Sequence, residues 1–291
     1  MGKDTDIAWC DHTFNPWWGC VKISPGCTRC YAATFDKRVH GKDSEYWKVG
    51  GPRRKFGDAH WRQPEKWNRD AAKAGKRARV FCASMADVFE DRRDLDADRD
   101  RLWALIERTP HLDWLLLTKR PDVMRRLWPW SSPPANVWAG TTMEDQEHAD
   151  ARIVDLLNVP AVVRFASIEP MIGPVELQTP MPLTPADVRQ HHRSYLRGVG
   201  GDVRLGWIIA GCESGHGARP AQVQWYRDLR DQCTAAGVPF LLKQAAEQPG
   251  APGRLYQIGA GAGSWRKGRV LIEAPYLDGV QHLAWPEVRR G

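Results

Sequence analysis

Short apolar runs alternate with amphipathic helical patterns along most of this chain. Six such runs, each bounded by polar or turn-forming residues, occupy 79–83, 113–118, 137–141, 162–166, 206–210 and 239–242. Continuous apolar runs of this length are typical of strands that are buried on both faces of a parallel sheet. With a further strand at 13–18, the alternation predicts an α/β fold of about six or seven parallel strands, arranged as a full or partial (β/α) TIM-like barrel.

The helices of this fold are predicted between the apolar runs. They occupy 96–108, 121–127, 144–157 and 222–236. In the first of them, Leu102, Leu105 and Ile106 recur at helical spacing, which indicates one face that packs on the sheet.

Two regions interrupt the alternation. Residues 38–78 are charged and rich in glycine, proline and tryptophan, and residues 174–204 contain prolines, a histidine pair and a glycine cluster. We expect both to be excursions over the mouth of a barrel domain that spans 1–246. The glycine-rich run 248–263 has no strand–turn–helix unit around it, so it does not match a dinucleotide-binding fingerprint and instead predicts a C-terminal extension, 247–291.

The cellular location is predicted from hydropathy and cysteine usage. The 291 residues contain no run of about 18 apolar residues that would predict a membrane span. Lys3, Asp4 and Asp6 interrupt the start of the chain, so no signal peptide is expected there. The seven cysteines are then expected to be free thiols in a reducing cytoplasm, with no membrane partner.

Charge favours a polyanionic partner. The net charge is +7 and the pI is about 9.1, and 15 tryptophans are interleaved with the basic clusters. Lysine and arginine bind phosphates, and aromatic faces stack on unpaired bases, so a nucleic acid or nucleotide is the predicted substrate class. The alternative is an ordinary basic surface with tryptophans that fill cores. No His-Glu-x-x-His, Gly-x-Ser-x-Gly or Walker motif supports a hydrolase or NTPase.

Three cysteines, Cys20, Cys27 and Cys30, carry the strongest chemical signal. Thiolates are soft ligands that suit iron–sulfur clusters or zinc. A four-iron cluster on three cysteines keeps one open iron, where a substrate or cofactor can bind. The alternative is structural zinc with Cys10 as the fourth ligand, although zinc sites usually combine two close ligand pairs and this chain has one Cys-x-x-Cys.

Two stretches around these cysteines carry a family resemblance. They are Asn15-Pro16-Trp17-Trp18-Gly19-Cys20 and Cys27-Thr28-Arg29-Cys30-Tyr31-Ala32. They resemble the spore-photoproduct-lyase-like branch of the radical S-adenosylmethionine (SAM) superfamily. The C-x6-C-x2-C spacing, together with the runs 117–121, 167–170, 211–215 and 277–279, resembles the phage Gp37/Gp68 family. The resemblance implies that Cys20, Cys27 and Cys30 hold a [4Fe-4S] cluster, that SAM binds the open iron, and that an electron donor is needed.

The resemblance also implies cofactor-binding residues at the strand ends, where the catalytic groups of barrels gather. Ser84 and Asp87 stand where the superfamily holds the SAM amino group, with a helix N-cap as the alternative for Asp87. Thr118, Lys119 and Arg120 follow the next strand. The two cations can bind the SAM carboxylate or a substrate phosphate, and a surface salt bridge is the alternative.

Later strand ends supply the remaining candidates. Thr141 can bond the SAM ribose or cap the following helix, and Ser167 and Glu169 can bond ribose hydroxyls or the substrate. Cys212 and Glu213 lie in a loop whose backbone amides can bind an anion, and we take them as candidate catalytic residues. Cys212 can donate a hydrogen atom to a substrate radical, and the alternative is a buried small apolar side chain.

The sequence and the resemblance together predict a radical SAM-like enzyme that generates a 5′-deoxyadenosyl radical. The expected substrate is a nucleic-acid base or nucleotide, in DNA repair or modification linked to phage biology, in a bacterial host or encoded by a prophage. The alternative is a non-enzymatic nucleic-acid-binding protein that contains zinc.

Overall fold

The computed structural model describes residues 5, 7–178, 195–196, 203–214, 217–246, 264–266, 269–273 and 276–288. The chain divides into two compact units. The first holds Met1–Thr141 and Asn158–Val162, and the second holds Thr142–Leu157 and Val163–Arg289.

The first unit is built on a parallel sheet. Its strands are β1 (His12–Thr13), β2 (Trp17–Trp18), β3 (Arg54–Lys55), β4 (Ala78–Cys82), β5 (Leu112–Thr118) and β6 (Val137–Thr142), the last residue of which falls in the second unit. Its helices are α1 (Tyr31–His40), α2 (Asp58–Trp61), α3 (Gln63–Ala74), α4 (Asp96–Glu107) and α5 (Pro121–Leu127). β1, β4, β5 and β6 pair in that order and are all parallel, while β2 and β3 form a separate antiparallel pair.

The apolar runs of this unit form strands because both of their faces are covered. Trp114, Leu115 and Leu116 are successive residues of β5 that point to alternate faces, and all three are fully buried. Val80 of β4 pairs with Trp114 and is also fully buried. The polar residues that follow β4 and β5 are therefore brought to one edge of this sheet.

The second unit continues the α/β pattern and ends in antiparallel strands. Its elements are α6 (Gln146–Leu157), β7 (Val163–Ile168), β8 (Trp207–Gly211), α7 (Val223–Ala236), β9 (Phe240–Ala246), β10 (Ser264–Arg266), β11 (Arg269–Glu273), β12 (Tyr276–Leu277) and β13 (Val280–Gln281). β7, β8 and β9 are parallel neighbours. β11 pairs antiparallel with β9 and β10, and β12 and β13 form a hairpin.

The predicted α/β class is confirmed, with four parallel strands in the first unit and three in the second among the described residues. Two details differ from the sequence prediction. The segment 13–18 is not one strand, because the chain leaves β1 after Thr13 and re-forms a strand only at Trp17. Residues 38–78 include a twelve-residue helix, α3, whose buried residues are Pro64, Trp67 and Ala71.

Other predictions about organisation stay predictions. The boundary at 246/247 is one of them, as is the placement of 38–78 over a barrel mouth. Most of 174–204, with its histidine pair and its glycine cluster, and all of 248–263 lie outside the described residues. Within the described part of the chain, no helix is both long enough and apolar enough to cross a membrane.

Candidate functional site

The cysteine loop begins at a glycine that no other residue can replace without rearrangement. Gly19 follows β2 with a φ of 112°, and a Cβ built on it would lie 2.2 Å from the carbonyl oxygen of Tyr46. Its amide donates to the carbonyl oxygen of Met85 at 3.0 Å. The direction in which the chain enters Cys20 is therefore fixed from both sides.

Cys27 and Cys30 lie on consecutive turns at the start of α1. A 3₁₀ turn spans Pro25–Cys27, and the Cys30 amide donates to the Cys27 carbonyl oxygen at 3.3 Å. Burial raises the pKa of the Cys30 thiol, and the neighbouring charge of Cys27 raises it further. The backbone hydrogen bond thus holds the two cysteines on adjacent turns.

Cys20 is turned toward a cation. Its Sγ lies 3.7 Å from Nη1 of Arg120 and 3.4 Å from the carbonyl oxygen of Val21. Burial and the charge of Asp87 raise the pKa of this thiol to about 12, and Arg120 opposes the rise. Cys20 is therefore a thiol at neutral pH in this structure, and a bound soft metal would have to displace its proton.

The chemistry of this donor set fits an iron–sulfur cluster, because three partly exposed cysteines share one loop. Their side chains do not yet converge. In the part of the chain that the structure describes, no three His, Cys, Asp or Glu side chains are gathered as metal ligands.

Cys10 lies at the other end of the sheet. Its neighbour Asp11 donates its amide to the carbonyl oxygen of Arg79 near the start of β4, whereas Gly19 bridges to Ala86 beyond the end of β4. The five residues of β4, at about 3.3 Å each, separate Cys10 from the cysteine loop. Cys10 is therefore not placed to join Cys20, Cys27 and Cys30 as a zinc ligand.

Two residues of the motif tie the cysteine loop to the loop after β4. The Asn15 side chain accepts from the Met85 amide at 2.6 Å and donates to Oγ of Ser84 at 3.1 Å. The Tyr31 hydroxyl, one residue after Cys30, donates to the Ser84 carbonyl oxygen at 2.5 Å. The sequence motif includes Asn15 and Tyr31 but predicts no role for either, and it predicts that Ser84 binds SAM. In the structure, Ser84 is the anchor that they share.

Asp87 organises the ends of β4 and β5. Its Oδ1 accepts from the Thr118 hydroxyl at 2.6 Å and the Phe89 amide at 3.0 Å. Its Oδ2 accepts from Nη1 of Arg120 at 2.6 Å and the Lys119 amide at 3.3 Å. The carboxylate thus has two donors on each oxygen, and Arg120 is aimed at the cysteine loop, where Nη2 donates to the Val21 carbonyl oxygen at 3.0 Å.

Thr141 is fully buried and does not reach an open surface. Its hydroxyl donates to the carbonyl oxygen of Thr118 at 2.9 Å, which links the ends of β5 and β6. The predicted bond to a ribose would require this hydroxyl to use its remaining lone pairs.

The second unit brings Glu169 and Lys243 together. Lys243 Nζ lies 3.0 Å from Oε1 of Glu169, which has no well-directed hydrogen bond, so charge attraction rather than a directed bond joins the pair. The Ser167 hydroxyl donates to Oε2 at 3.3 Å. A Cβ built on Gly211 would lie 2.7 Å from Oε1, so the glycine leaves the room that this carboxylate occupies.

Glu213 is engaged by a neighbouring arginine. Nε of Arg219 donates to its Oε2 at 3.0 Å, the Arg219 amide donates to the same oxygen at 2.8 Å, and Nη2 contacts Oε1. Glu144 is fully buried and paired with Arg152. Glu213, which was a predicted site residue, and Glu144, which was not, therefore each face a guanidinium group.

Cys212 is buried beside the end of β9. Its amide donates to the Gln244 carbonyl oxygen at 3.1 Å, and Nε2 of Gln244 donates back to the Cys212 carbonyl oxygen at 2.7 Å. The side chain is only 2% exposed. Its burial matches the alternative of a small apolar side chain, and its proposed role as a hydrogen-atom donor stays a prediction.

A family model described as "Protein of unknown function (DUF5131)" matches residues 4–277. The chain belongs to the DUF5131 family. No curated protein matches the sequence. Two solved structures of spore photoproduct lyase variants are similar to it. One is 13% identical with a TM-score of 0.47 and covers 94% of this chain and 72% of the lyase, and the other is 11% identical with a TM-score of 0.40 and covers 88% and 67%.

In this DUF5131 chain, a buried ion pair between Arg53 and Glu90 stabilises the backbone that packs against the start of the cysteine loop. Nε and Nη2 of Arg53 donate to the two carboxylate oxygens of Glu90 at 2.8 and 2.5 Å. Nη1 of Arg53 donates to the carbonyl oxygens of Tyr46 and Gly51, both at 2.9 Å. The pair fixes the Tyr46 carbonyl against Gly19. No motif signals it, because Arg53 and Glu90 are 37 residues apart and their pairing depends on the fold.

Proposed function

We propose that this DUF5131 protein is a radical SAM-like iron–sulfur enzyme that acts on a nucleic-acid base or nucleotide. The observation that carries the proposal is the cysteine loop. Cys20, Cys27 and Cys30 share one loop, which is pinned to the end of the neighbouring strand by Asn15 and Tyr31. A chain that needed these cysteines only as small apolar residues would not leave three of them partly exposed.

The protein's own residues hold and orient the cofactors. Cys20, Cys27 and Cys30 are the proposed cluster ligands, which leaves one iron for SAM. When bound, this pair of cofactors supplies the 5′-deoxyadenosyl radical. Lys119 and Arg120, directly after β5, are the proposed cations for the SAM carboxylate.

Asp87 is proposed as a positioning residue. The sequence suggested that it accepts hydrogen bonds from the SAM ammonium, but each of its oxygens already has two donors. Its ion pair with Arg120 is nine-tenths buried on both sides, so the carboxylate is better suited to aim the guanidinium than to bind a ligand.

The proposed substrate class is supported by polar residues of the second unit and by the net charge of the protein. Glu169, Ser167 and Lys243 form a small polar group that suits ribose hydroxyls or a phosphate. Glu213 and Cys212 follow β8 and stay candidates for catalysis. The net charge of +7 supports a phosphate-bearing substrate. The Gp37/Gp68 resemblance, the link to phage DNA repair or modification and the cytoplasmic location belong to the same proposal.

The zinc-containing alternative is weakened by the position of Cys10. A four-cysteine zinc site needs a fourth ligand within about 2.3 Å of the metal. Cys10 and the cysteine loop flank opposite ends of β4, so Cys10 is not placed to complete such a site.

SAM cleavage tests the proposed function. The wild-type protein, reconstituted anaerobically with iron and sulfide and then reduced with dithionite, is expected to convert SAM to 5′-deoxyadenosine. The Cys27→Ala variant is expected to lose this conversion, while Cys233→Ala, which changes a buried cysteine on α7, retains it. Incubation with single-stranded DNA, RNA and free nucleotides then identifies the class that increases turnover. A wild-type protein that binds iron but leaves SAM intact would overturn the proposal.

A further inference from the structure

An exposed apolar face lies beside the cysteine loop. Tyr31, Phe35 and Val39 recur every four residues on α1, so they share one side of the helix. They are 53%, 37% and 52% exposed, and Ile23 on the loop itself is 44% exposed. A surface helix normally turns such a stripe toward the core, and an apolar face left open is typical of a binding surface.

The charges around this face are mostly positive. The segment 20–40 contains Lys22, Arg29, Lys37 and Arg38, all exposed, and one acid, Asp36. Asp36 is fully buried and is engaged by His40 at 2.8 Å and by Ser44. It therefore contributes no negative charge at the surface. The exposed acids Asp43 and Glu45 follow α1 together with the exposed cations Lys42 and Lys48, and Lys48 pairs with Glu45 at 3.1 Å, so the rim of the apolar face is cationic on balance.

We propose that this face, formed by the cysteine loop and the outer side of α1, binds an acidic electron-donor protein. This inference depends on the proposed function, because it supplies the reductant that the iron–sulfur site needs. The cysteine loop itself contains the rim residues Lys22 and Arg29 and the apolar Ile23. A partner that contacts these residues therefore contacts the segment that carries all three proposed ligands. Small apolar centres with complementary charged rims are typical of transient redox complexes.

The proposed reaction transfers one electron from the donor protein to the cluster. The donor carries a low-potential one-electron centre, such as the [2Fe–2S] cluster of a plant-type ferredoxin. It loses one electron and the cluster on Cys20, Cys27 and Cys30 gains it. No bond forms or breaks in the transfer, and no proton is required.

The composition of the face favours a protein over a nucleic acid. Val39 and Ile23 are aliphatic and offer no ring on which a base can stack. Tyr31 and Phe35 have rings, but the Tyr31 hydroxyl is bonded to the Ser84 carbonyl oxygen, and the guanidinium of Arg38 lies 5.2 Å from the Phe35 centroid. Aliphatic, aromatic and arginine side chains together are typical of the centre of a protein interface.

The experiment compares two charge reversals of equal size. The double variant Lys37→Glu and Arg38→Glu changes the face, and the matched control Lys73→Glu and Lys76→Glu changes exposed cations at the end of α3 and in the turn before β4. Lys73, like Lys37, lies in the last turn of its helix, so these two reversals oppose the helix dipole in the same way. Arg38 also lies in the last turn of α1, whereas Lys76 follows the end of α3. Cluster reduction is followed by stopped-flow absorbance near roughly 400 nm, with reduced plant-type ferredoxin or with dithionite as the reductant.

We expect the face variant to lower the rate constant with ferredoxin about 10-fold at low salt and to lose most of its salt dependence. The control should stay within about 2-fold of wild type, and reduction by dithionite should be the same in all three proteins. A Val39→Gln variant should raise the dissociation constant for ferredoxin about 3- to 10-fold at low and high salt alike, because it removes apolar contact rather than charge.

Failure of the inference can be told from failure of the proposed function. A reconstituted wild-type protein with no absorbance near roughly 400 nm contradicts the proposed function. A loaded protein that dithionite reduces normally, and that ferredoxin reduces equally fast in the face variant and the control, overturns the docking surface alone. Weakened binding of a DNA oligonucleotide by the face variant, with ferredoxin reduction unchanged, would likewise overturn it and assign the face to nucleic acid.

Discussion

Asp87 and Arg120 form an ion pair whose Oδ2 and Nη1 atoms are 2.6 Å apart, at the ends of neighbouring parallel strands. The pair places the guanidinium against Cys20 Sγ and the Val21 carbonyl oxygen. Burial alone would lower the pKa of Arg120, and the charge of Asp87 raises it instead. The cation is therefore held beside the first proposed cluster ligand.

Replacement of Asp87 by asparagine should destabilise the protein by about 3 kcal/mol, because it leaves a buried guanidinium without its counter-charge. The matched control is Asp91→Asn, which breaks an exposed pair with Arg126 and should cost under about 1 kcal/mol. Urea unfolding of the two variants measures both values. Equal losses of unfolding free energy in the two variants would show that the buried Asp87–Arg120 pair contributes no more to stability than the exposed pair.

Replacement of Gly19 by alanine should disrupt the cysteine loop. The new Cβ would meet the Tyr46 carbonyl oxygen at 2.2 Å, in a backbone conformation that favours glycine. We expect a loss of about 2–4 kcal/mol and reduced iron uptake. Gly57→Ala is the control, since nothing lies within 4 Å of its Cβ position. If both variants took up iron and unfolded like wild type, the account of the loop entry would be wrong.

Replacement of Gly211 by alanine should displace the Glu169 carboxylate from Lys243. The added Cβ would lie 2.7 Å from Oε1, whereas in the control Gly206→Ala the nearest atom is 3.6 Å away. The expected cost is about 1–3 kcal/mol for Gly211→Ala and under about 1 kcal/mol for the control. If Glu169 binds substrate, turnover falls in the first variant more than stability explains. A crystal structure with Glu169 unmoved would contradict the prediction.

Asp278 should make stability depend on pH in the acid range. Hydrogen bonds from Arg227 and Arg230 lower the pKa of Asp278 from 3.8 to about 2. A depressed pKa contributes stability that is present above about pH 4 and is lost as the pH falls through about 2. The pair network is partly exposed, so the contribution should stay under about 1 kcal/mol.

The variant Asp278→Asn isolates this charge. Asp278 has a φ of 52° in the turn between β12 and β13, and asparagine tolerates that conformation. The difference in unfolding free energy between wild type and variant should be constant from pH 6 to about pH 4 and shrink toward pH 2. A difference that did not change with pH would assign the effect to the turn rather than to the charge.

The parallel strands were predictable because their signal is local. The run that became β5 contains Trp114, Leu115 and Leu116, which are apolar on both faces, and its short length and polar boundaries favour a buried strand over a helix. α3 was missed for the opposite reason. It buries only Pro64, Trp67 and Ala71 among many charged residues, so its apolar face is too narrow to stand out from a charged loop.

The site was predictable only in part. The spacing of Cys27 and Cys30 indicated neighbouring thiols, and the strand ends indicated which polar residues would lie near one another. The partners of those residues were not predictable. Asp87 and Arg120 are 33 residues apart in the chain. The need for glycine at position 211 depends on the Glu169 carboxylate, which occupies the space beside it in the folded protein. Long-range pairing of this kind is decided by the fold and not by local sequence.

Iron and labile sulfide content tests the central claim most directly. After anaerobic reconstitution, wild type and Cys10→Ala should each bind about four iron and four sulfide per chain, while Cys20→Ala, Cys27→Ala and Cys30→Ala should each lose most of both. Electron paramagnetic resonance of the reduced wild-type cluster should change when SAM is added, as expected for one open iron. One zinc per chain without iron, lost on Cys10→Ala, would contradict the account.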